Sequence, residues 1–209
     1  MLVASLPCIV KRLGRVEYQP TAAAMRAFTA RRDAGTVDEL WIVEHPPVYT
    51  FGVGADPAHG PKGDHRVPVV RCERGGEITY HGPGQVVLYA LLDLARRGIR
   101  VREFVALLEQ AVIDLLAEHG VATQRRPGAP GVYADGAKVA ALGLRVSRGR
   151  CYHGVALNVD MDLAPFAAID PCGFPGLRVT QTRDLGIRRS PQDLGERLGA
   201  ILIGKLEHA

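Results

Sequence analysis

Arg74-Gly75-Gly76-Glu77-Ile78-Thr79-Tyr80-His81-Gly82-Pro83-Gly84-Gln85 places four glycines and one proline within twelve positions. Such a stretch cannot propagate a helix. Glycine tolerates positive φ and lets the backbone approach a neighbour closely, while proline fixes φ and removes a donor. Val67-Pro68-Val69-Val70-Arg71-Cys72 leads into it, and the apolar run Gln85-Val86-Val87-Leu88-Tyr89-Ala90-Leu91-Leu92 leaves it. The simplest reading is strand, glycine-rich connection, strand. The connection is then either a hairpin with glycine turns or a surface that holds a ligand.

Outward from this segment the pattern mixes strands and helices. Glu39–Glu44 and Val48–Phe51 are short apolar runs separated by His45-Pro46-Pro47, and Gly52–His65 has loop composition. Ala22–Arg32, opened by Pro20-Thr21, is rich in helix formers. Arg102–His119 carries Phe104, Leu108, Val112 and Leu115 at helical spacing and ends at Gly120. Val3–Val16 alternates loosely as strand. Gly131–Tyr133, Lys138–Val146 and Tyr152–Val159 form a second β-rich block, the last two as a hairpin around Ser147-Arg148-Gly149-Arg150. Ser190-Pro191-Gln192-Asp193 starts a terminal amphipathic helix with a cap and a proline at its first position. Strict β-α-β alternation is absent. The expected fold is therefore α+β, a mixed and largely antiparallel sheet with flanking helices gathered on one side, in one domain spanning residues 1–209.

Composition narrows the class. The 209 residues are 47% hydrophobic and 23% charged, the balance of a folded, water-soluble chain. A formal net charge of +4 is too small to argue for nucleic acid, though it can favour an acidic partner. The N-terminus lacks the basic start of a signal peptide, and no uncharged run reaches the length of a membrane span, so a cytoplasmic location is expected. Cys8, Cys72, Cys151 and Cys172 stand far apart without a C-x-x-C pair, which suggests free thiols rather than a zinc or dithiol site. The histidines show no metal-ligand spacing, and no phosphate-binding glycine motif opens a helix.

Cys172 stands out among the thiols. It lies in Asp170-Pro171-Cys172-Gly173-Phe174-Pro175-Gly176, an irregular segment with no apolar run to fill. Thiols attack as thiolates, so a neighbouring cation is needed to raise the ionised fraction near neutrality. Lys138, which opens the apolar strand Lys138-Val139-Ala140-Ala141-Leu142-Gly143, is a candidate, and its alternative is a lysine that snorkels from a strand edge. His81 and His153 each precede a glycine. Either is a possible base of a Cys-His pair, or a histidine that only bonds a loop carbonyl.

Taken in order along the chain, Glu44-His45-Pro46-Pro47-Val48-Tyr49-Thr50, the Arg74–Gln85 stretch, Lys138–Gly143, His153-Gly154-Val155-Ala156-Leu157-Asn158 and Pro171-Cys172-Gly173 closely resemble the bacterial octanoyltransferases, also called the lipoate-protein ligase B family. The resemblance implies a single domain of the fold shared by biotin protein ligases and lipoate ligases. It implies transfer of an octanoyl group from octanoyl-acyl carrier protein, through a cysteine thioester, to a lysine on the lipoyl domains of 2-oxoacid dehydrogenase complexes and of the glycine cleavage protein, with no cofactor.

By the same resemblance, Cys172 is the nucleophile and Lys138 its partner. Arg74, Gly75, Gly76, Glu77, Ile78, Thr79, Tyr80 and His81, then Ala141, Leu142 and Gly143, then Gly154, Val155 and Ala156 are the substrate-binding walls, with His153 in a supporting role. Arg96, Arg97, Arg100, Arg102, Arg125, Arg126, Arg148 and Arg150 are candidate contacts for an acidic carrier. The competing functions are an ATP-dependent lipoate or biotin ligase of the same fold, which needs no cysteine nucleophile, and a non-catalytic domain that binds acyl carrier protein.

Overall fold

The structure, a computed structural model, describes residues 7–62, 66–170 and 176–209. Cys172 and the start of the expected first strand lie outside the described residues. The elements in chain order are β1 (Cys8–Arg15), α1 (Tyr18–Arg31), β2 (Asp38–Glu44), β3 (Val48–Phe51), β4 (Val69–Arg71), β5 (Ile78–His81), β6 (Gln85–Asp93), α2 (Leu94–Arg97), α3 (Val101–Ala117), β7 (Gly131–Ala134), β8 (Ala137–Ser147), β9 (Arg150–Asn158) and α4 (Pro191–Glu207). Single 3-10 turns occupy Pro57–His59 and Ala164–Ala168.

Six strands form the main sheet in the order β1-β2-β6-β9-β8-β7. Only β1 and β2 run parallel; the other pairs are antiparallel, as a mixed and largely antiparallel sheet requires. The central strand β6 explains its unbroken apolar run by being covered on both faces. Val86, Leu88, Ala90 and Leu92 pack with Phe104, Leu108 and Leu115 of α3 and Leu194, Leu198 and Leu202 of α4. Val87, Tyr89 and Leu91 pack with Met25 and Phe28 of α1. Helices therefore cover both faces, not one. The alternation of β2 carries the same message, with Leu40 and Ile42 on the first side and Trp41 and Val43 on the second.

A smaller sheet of order β4-β3-β5 lies beside the main one. The glycine-rich stretch is thus more than a connection, because its middle is itself a strand paired antiparallel with β3. Ile78, Thr79 and Tyr80 are β-branched or aromatic, and the surrounding glycines make the bends on either side. Tyr49, Phe51, Ile78 and Tyr80 bury a satellite core with Phe166 from the second 3-10 turn.

Helix ends follow their local chemistry. Asp193 N–H donates to Ser190 Oγ at 3.1 Å, capping α4, and Arg100 N–H donates to Glu103 Oε2 at 2.8 Å at the start of α3. Helix α1 begins earlier than expected, at Tyr18, with Pro20 in its first turn where no donor is required. The β8–β9 hairpin turns through Arg148 and Gly149 at φ 50° and 77°, the left-handed pair that matches strand twist. One ionic hub ties the rim together. Asp38, fully buried at the start of β2, meets Arg32 after α1, Arg96 Nη2 at 2.9 Å and Arg97 Nε at 2.6 Å.

Candidate active site

A cavity of about 230 Å³ lies between the α1-facing side of the main sheet and the residue 74–81 segment. Val87 and Tyr89 of β6, Ala141 and Gly143 of β8, and Gly154, Ala156 and Asn158 of β9 contribute one wall. Arg74, Gly76, Glu77, Ile78, Thr79 and His81 contribute the opposite wall, and Phe166, Val179 and Gly128–Pro130 close the side. The small side chains on β8 and β9 leave a slot of low side-chain relief. Gly154 has a separate reason to be glycine, since a Cβ there would stand 2.1 Å from the Leu88 carbonyl oxygen.

Most residues singled out from the sequence meet at this cavity. Lys138, Leu142, Val155 and His153 line it together with those already named. Two do not. Gly75 fastens the wall from outside, its N–H donating to the Leu144 carbonyl at 2.8 Å. The Tyr80 ring turns away and packs against Tyr49 and Phe166 in the satellite core. Cys172 lies outside the described residues, but Phe166 and Val179, which flank it in sequence, both line the cavity. The described cysteines are poor nucleophiles or otherwise engaged. Burial pushes the Cys8 and Cys151 thiols up to about 12, and Cys72 Sγ donates to the Phe51 carbonyl at 3.1 Å.

Lys138 is 3% exposed. Its Nζ donates to the Pro130 carbonyl at 3.1 Å and lies 5.3 Å from the centre of the Tyr133 ring. Its backbone holds the chain that follows the Cys172 segment: Lys138 N–H donates to Arg178 O, and Thr180 N–H donates to Lys138 O, both at 2.9 Å. The lysine is therefore fixed to the cavity on one side and to residues 178–180 on the other.

A second cation, Arg74, is 7% exposed. Its Nη2 donates to the Thr50 carbonyl at 2.6 Å and to Thr50 Oγ1 at 2.8 Å, and its Nη1 donates to Gly75 O at 3.1 Å. All of these partners are neutral, and Nε is buried without one. The guanidinium thus brings positive charge to the cavity without an ion-pair carboxylate among the described residues.

Three histidines gather on this side, His81 and His153 lining the cavity and His45 against them. His45 Nδ1 donates to the Val16 carbonyl at 2.6 Å, so its Nε2 accepts from Tyr89 OH at 2.7 Å. The His81 ring stacks on Tyr18 at 5.9 Å and meets the His45 ring edge at 5.9 Å. Burial holds all three histidines below the ordinary range, with His81 and His153 down to about 3. For His153 the Arg74 charge adds to burial; for His81 the Gln85 hydrogen bond opposes it. At neutral pH these rings are uncharged. Among the described residues no three His, Cys, Asp or Glu side chains converge to hold a metal ion.

The backbone at His153 has φ 66°, in the left-handed region that a non-glycine residue seldom adopts. Its ring stacks on that of Tyr152 at 5.0 Å and meets Tyr89 edge-on at 5.8 Å. Two consecutive residues of one strand thereby contribute to the same face. This break in alternation places an imidazole in the cavity wall.

The family model for the lipoyl protein ligase A/B catalytic domain matches residues 17–200. An octanoyltransferase of Dechloromonas aromatica is 59% identical over 202 residues, covering 97% of this chain and 98% of that protein. The chain belongs to the octanoyltransferases of the lipoyl protein ligase A/B family. As a member of that family it is a transferase. An octanoyltransferase of Thiobacillus denitrificans is 64% identical over 182 residues, or 87% of this chain and 83% of the relative. The fold extends further than the sequence likeness. A lipoate-protein ligase A solved with ATP superposes with a TM-score of 0.79 at 16% identity, covering 96% of this chain and 85% of that one. A biotin protein ligase from Aquifex aeolicus superposes at 0.59 and 13% identity, covering 95% and 70%.

Sequence reasoning missed several cavity residues. Tyr18 sits at a helix start with nothing in its neighbours to mark it, and Phe166 and Val179 lie in irregular segments. Gln85 and Asn158 stand within the quoted motifs, but an amide side chain at those positions carries no chemical signal in the sequence. Of the arginines considered for carrier docking, Arg96 and Arg97 are bound to buried Asp38, Arg125 pairs with Glu109 at 3.1 Å, and Arg150 faces Asp93 at 3.6 Å. These four are engaged in ion pairs within the chain.

Proposed function

We propose that this octanoyltransferase moves an octanoyl group from acyl carrier protein to a lipoyl-domain lysine through a thioester on Cys172. The supporting observation is the shape of the cavity, a slot whose β8 and β9 side is formed by the small residues Ala141, Gly143, Gly154 and Ala156, with the buried ammonium of Lys138 in its wall. A linear alkyl chain laid along it removes each CH2 from water, contributing about 0.8 kcal/mol per group. Cysteine thiolate attacks the carrier thioester carbonyl, and the carrier thiolate leaves and takes the proton of the Lys138 ammonium, which exchanges one thioester for another and leaves the lysine neutral. The acceptor amine then attacks the enzyme thioester. An amide forms, the Cys172 thiolate is released, and the amine proton passes to a base, a role assigned to Lys138 in its neutral form. Because the acyl group arrives activated, the sequence needs no ATP motif.

Intact-mass spectrometry after incubation with octanoyl-acyl carrier protein tests this directly. The wild-type chain is expected to gain one octanoyl group and Cys172→Ser none. Full activity of Cys172→Ser with free octanoate and ATP would instead establish the ligase reaction. Binding of the carrier without any adduct or product would establish a binding domain.

A further inference from the structure

Two side chains stand between the slot and a second cavity. Tyr18 and His153, each 3% exposed, line the 230 Å³ slot and also a cleft of about 380 Å³ formed with Ala22, Arg26, Cys72 and Tyr152. The wall between the two spaces is therefore one layer of side chains thick. Its distance from Lys138 is set by strand register. His153 pairs with Leu144 of β8, six residues beyond Lys138, which is roughly 20 Å of strand before the lysine side chain and the rings take up space at either end.

The geometry points to Tyr18 and His153 as the end stop that selects acyl chain length, an inference that rests on reading the slot as the acyl site. The methyl end of the chain meets the two rings, and further carbons have nowhere to go while the rings stand. Removing either ring joins the slot to the cleft behind it, where Ala22 and Cys72 offer partly apolar surface. The left-handed backbone at His153 makes the experiment favourable, because glycine adopts φ 66° more readily than histidine does. His153→Gly deletes the wall while relieving the main chain.

The test offers an equimolar mixture of octanoyl, decanoyl and dodecanoyl pantetheine thioesters to wild type, His153→Gly and Tyr18→Leu, and compares the acyl-enzyme masses at early times. Wild type is expected to carry mainly the octanoyl group. Each variant should raise its own dodecanoyl-to-octanoyl ratio on the order of tenfold, as expected when several CH2 groups gain burial. Ratios unchanged from wild type in variants that melt cooperatively would overturn the end-stop assignment. Should His153→Gly lose its cooperative transition, the Tyr18→Leu ratio decides. A wild-type enzyme that forms no acyl adduct would refute the acyl-site reading itself, a result distinct from unchanged ratios.

Discussion

His81 donates its Nδ1 proton to Oε1 of Gln85 across 2.7 Å. The direction follows from the partners of the amide: Gln85 Nε2 donates to Asn158 Oδ1 at 2.9 Å and to the Tyr80 carbonyl at 3.2 Å, so Oε1 is the acceptor. Asn158 is oriented in turn by donating Nδ2 to the Thr180 carbonyl at 2.9 Å. A chain of amides thereby leaves His81 Nε2 unprotonated. In Gln85→Glu, a carboxylate in place of the amide oxygen should raise the His81 pKa by roughly one to three pH units. Imidazole 15N shifts followed against pH check this; a ring whose titration is the same in both proteins refutes the assigned tautomer.

Acid sensitivity follows from the three neutral histidines. Their folded pKa values lie below the unfolded value of about 6.5, with His81 and His153 at about 3. Below pH 6.5 the unfolded chain binds protons that the folded chain refuses, so stability is complete above that pH and is lost as pH falls toward 3. Each such histidine adds up to about 1.4 kcal/mol per pH unit in that window. Denaturant midpoints should fall steeply from pH 6.5 to 5, and His153→Gly should reduce the slope by removing one proton. A midpoint constant over this interval excludes buried neutral rings.

Asp38→Ala is expected to cost about 3–5 kcal/mol, because it strands three arginines around a fully buried site. The loss should appear as a lower denaturant midpoint with secondary structure retained in mild conditions. An effect below about 1 kcal/mol would mean that solvent satisfies these cations without the carboxylate.

Glycine substitutions should divide by environment. Gly154→Ala drives a Cβ to 2.1 Å from Leu88 O, and Gly84→Ala combines φ 85° with a Cβ 1.9 Å from Asp160 O, so each should destabilise by about 3 kcal/mol or more. Gly204 in α4 has no atom within 4 Å of the added Cβ, so Gly204→Ala should stabilise by about 0.5–1 kcal/mol through helix propensity. Thermal melts of the three variants should therefore move in opposite directions.

On the proposed pairing of Lys138 with Cys172, Lys138→Met should raise the pH midpoint of Cys172 alkylation, since an ammonium beside a thiol favours the thiolate. Transfer should slow by a factor on the order of 100 or more, the range of a lost proton-transfer group. An alkylation profile that coincides with wild type would remove Lys138 from the activation of the thiol.

Long periodic elements were legible in the sequence because each depends on its own residues. The helix from Val101 repeats apolar positions along one face, and the β8–β9 hairpin announces itself through Arg148-Gly149. Helix coverage of the sheet was not legible, because the run Gln85–Leu92 reads as apolar throughout and periodicity does not say which elements cover each side. The strand inside Arg74–Gln85 was hidden by its glycines, although Ile78-Thr79-Tyr80 carries strand-forming residues. Within the site, the lysine strand and the glycine-bearing walls were visible as motifs. Tyr18 was not, because it reaches the cavity through the packing of α1 on β6 and β9, a long-range contact without a local signature. The inward turn of His153 depends on one backbone torsion, which alternation alone would have assigned to the opposite face.

Arg74 has a consequence for how the enzyme answers its surroundings. A guanidinium keeps its charge at any pH the fold survives, and its ligands here are amide carbonyls and a hydroxyl. With the neighbouring imidazoles neutral above pH 6.5, the local potential is constant through the physiological range and cannot be tuned by buffer. Any inflection in activity above that pH must come from groups other than these, which makes the rate profile a reporter of the proposed nucleophile and its proposed proton partner.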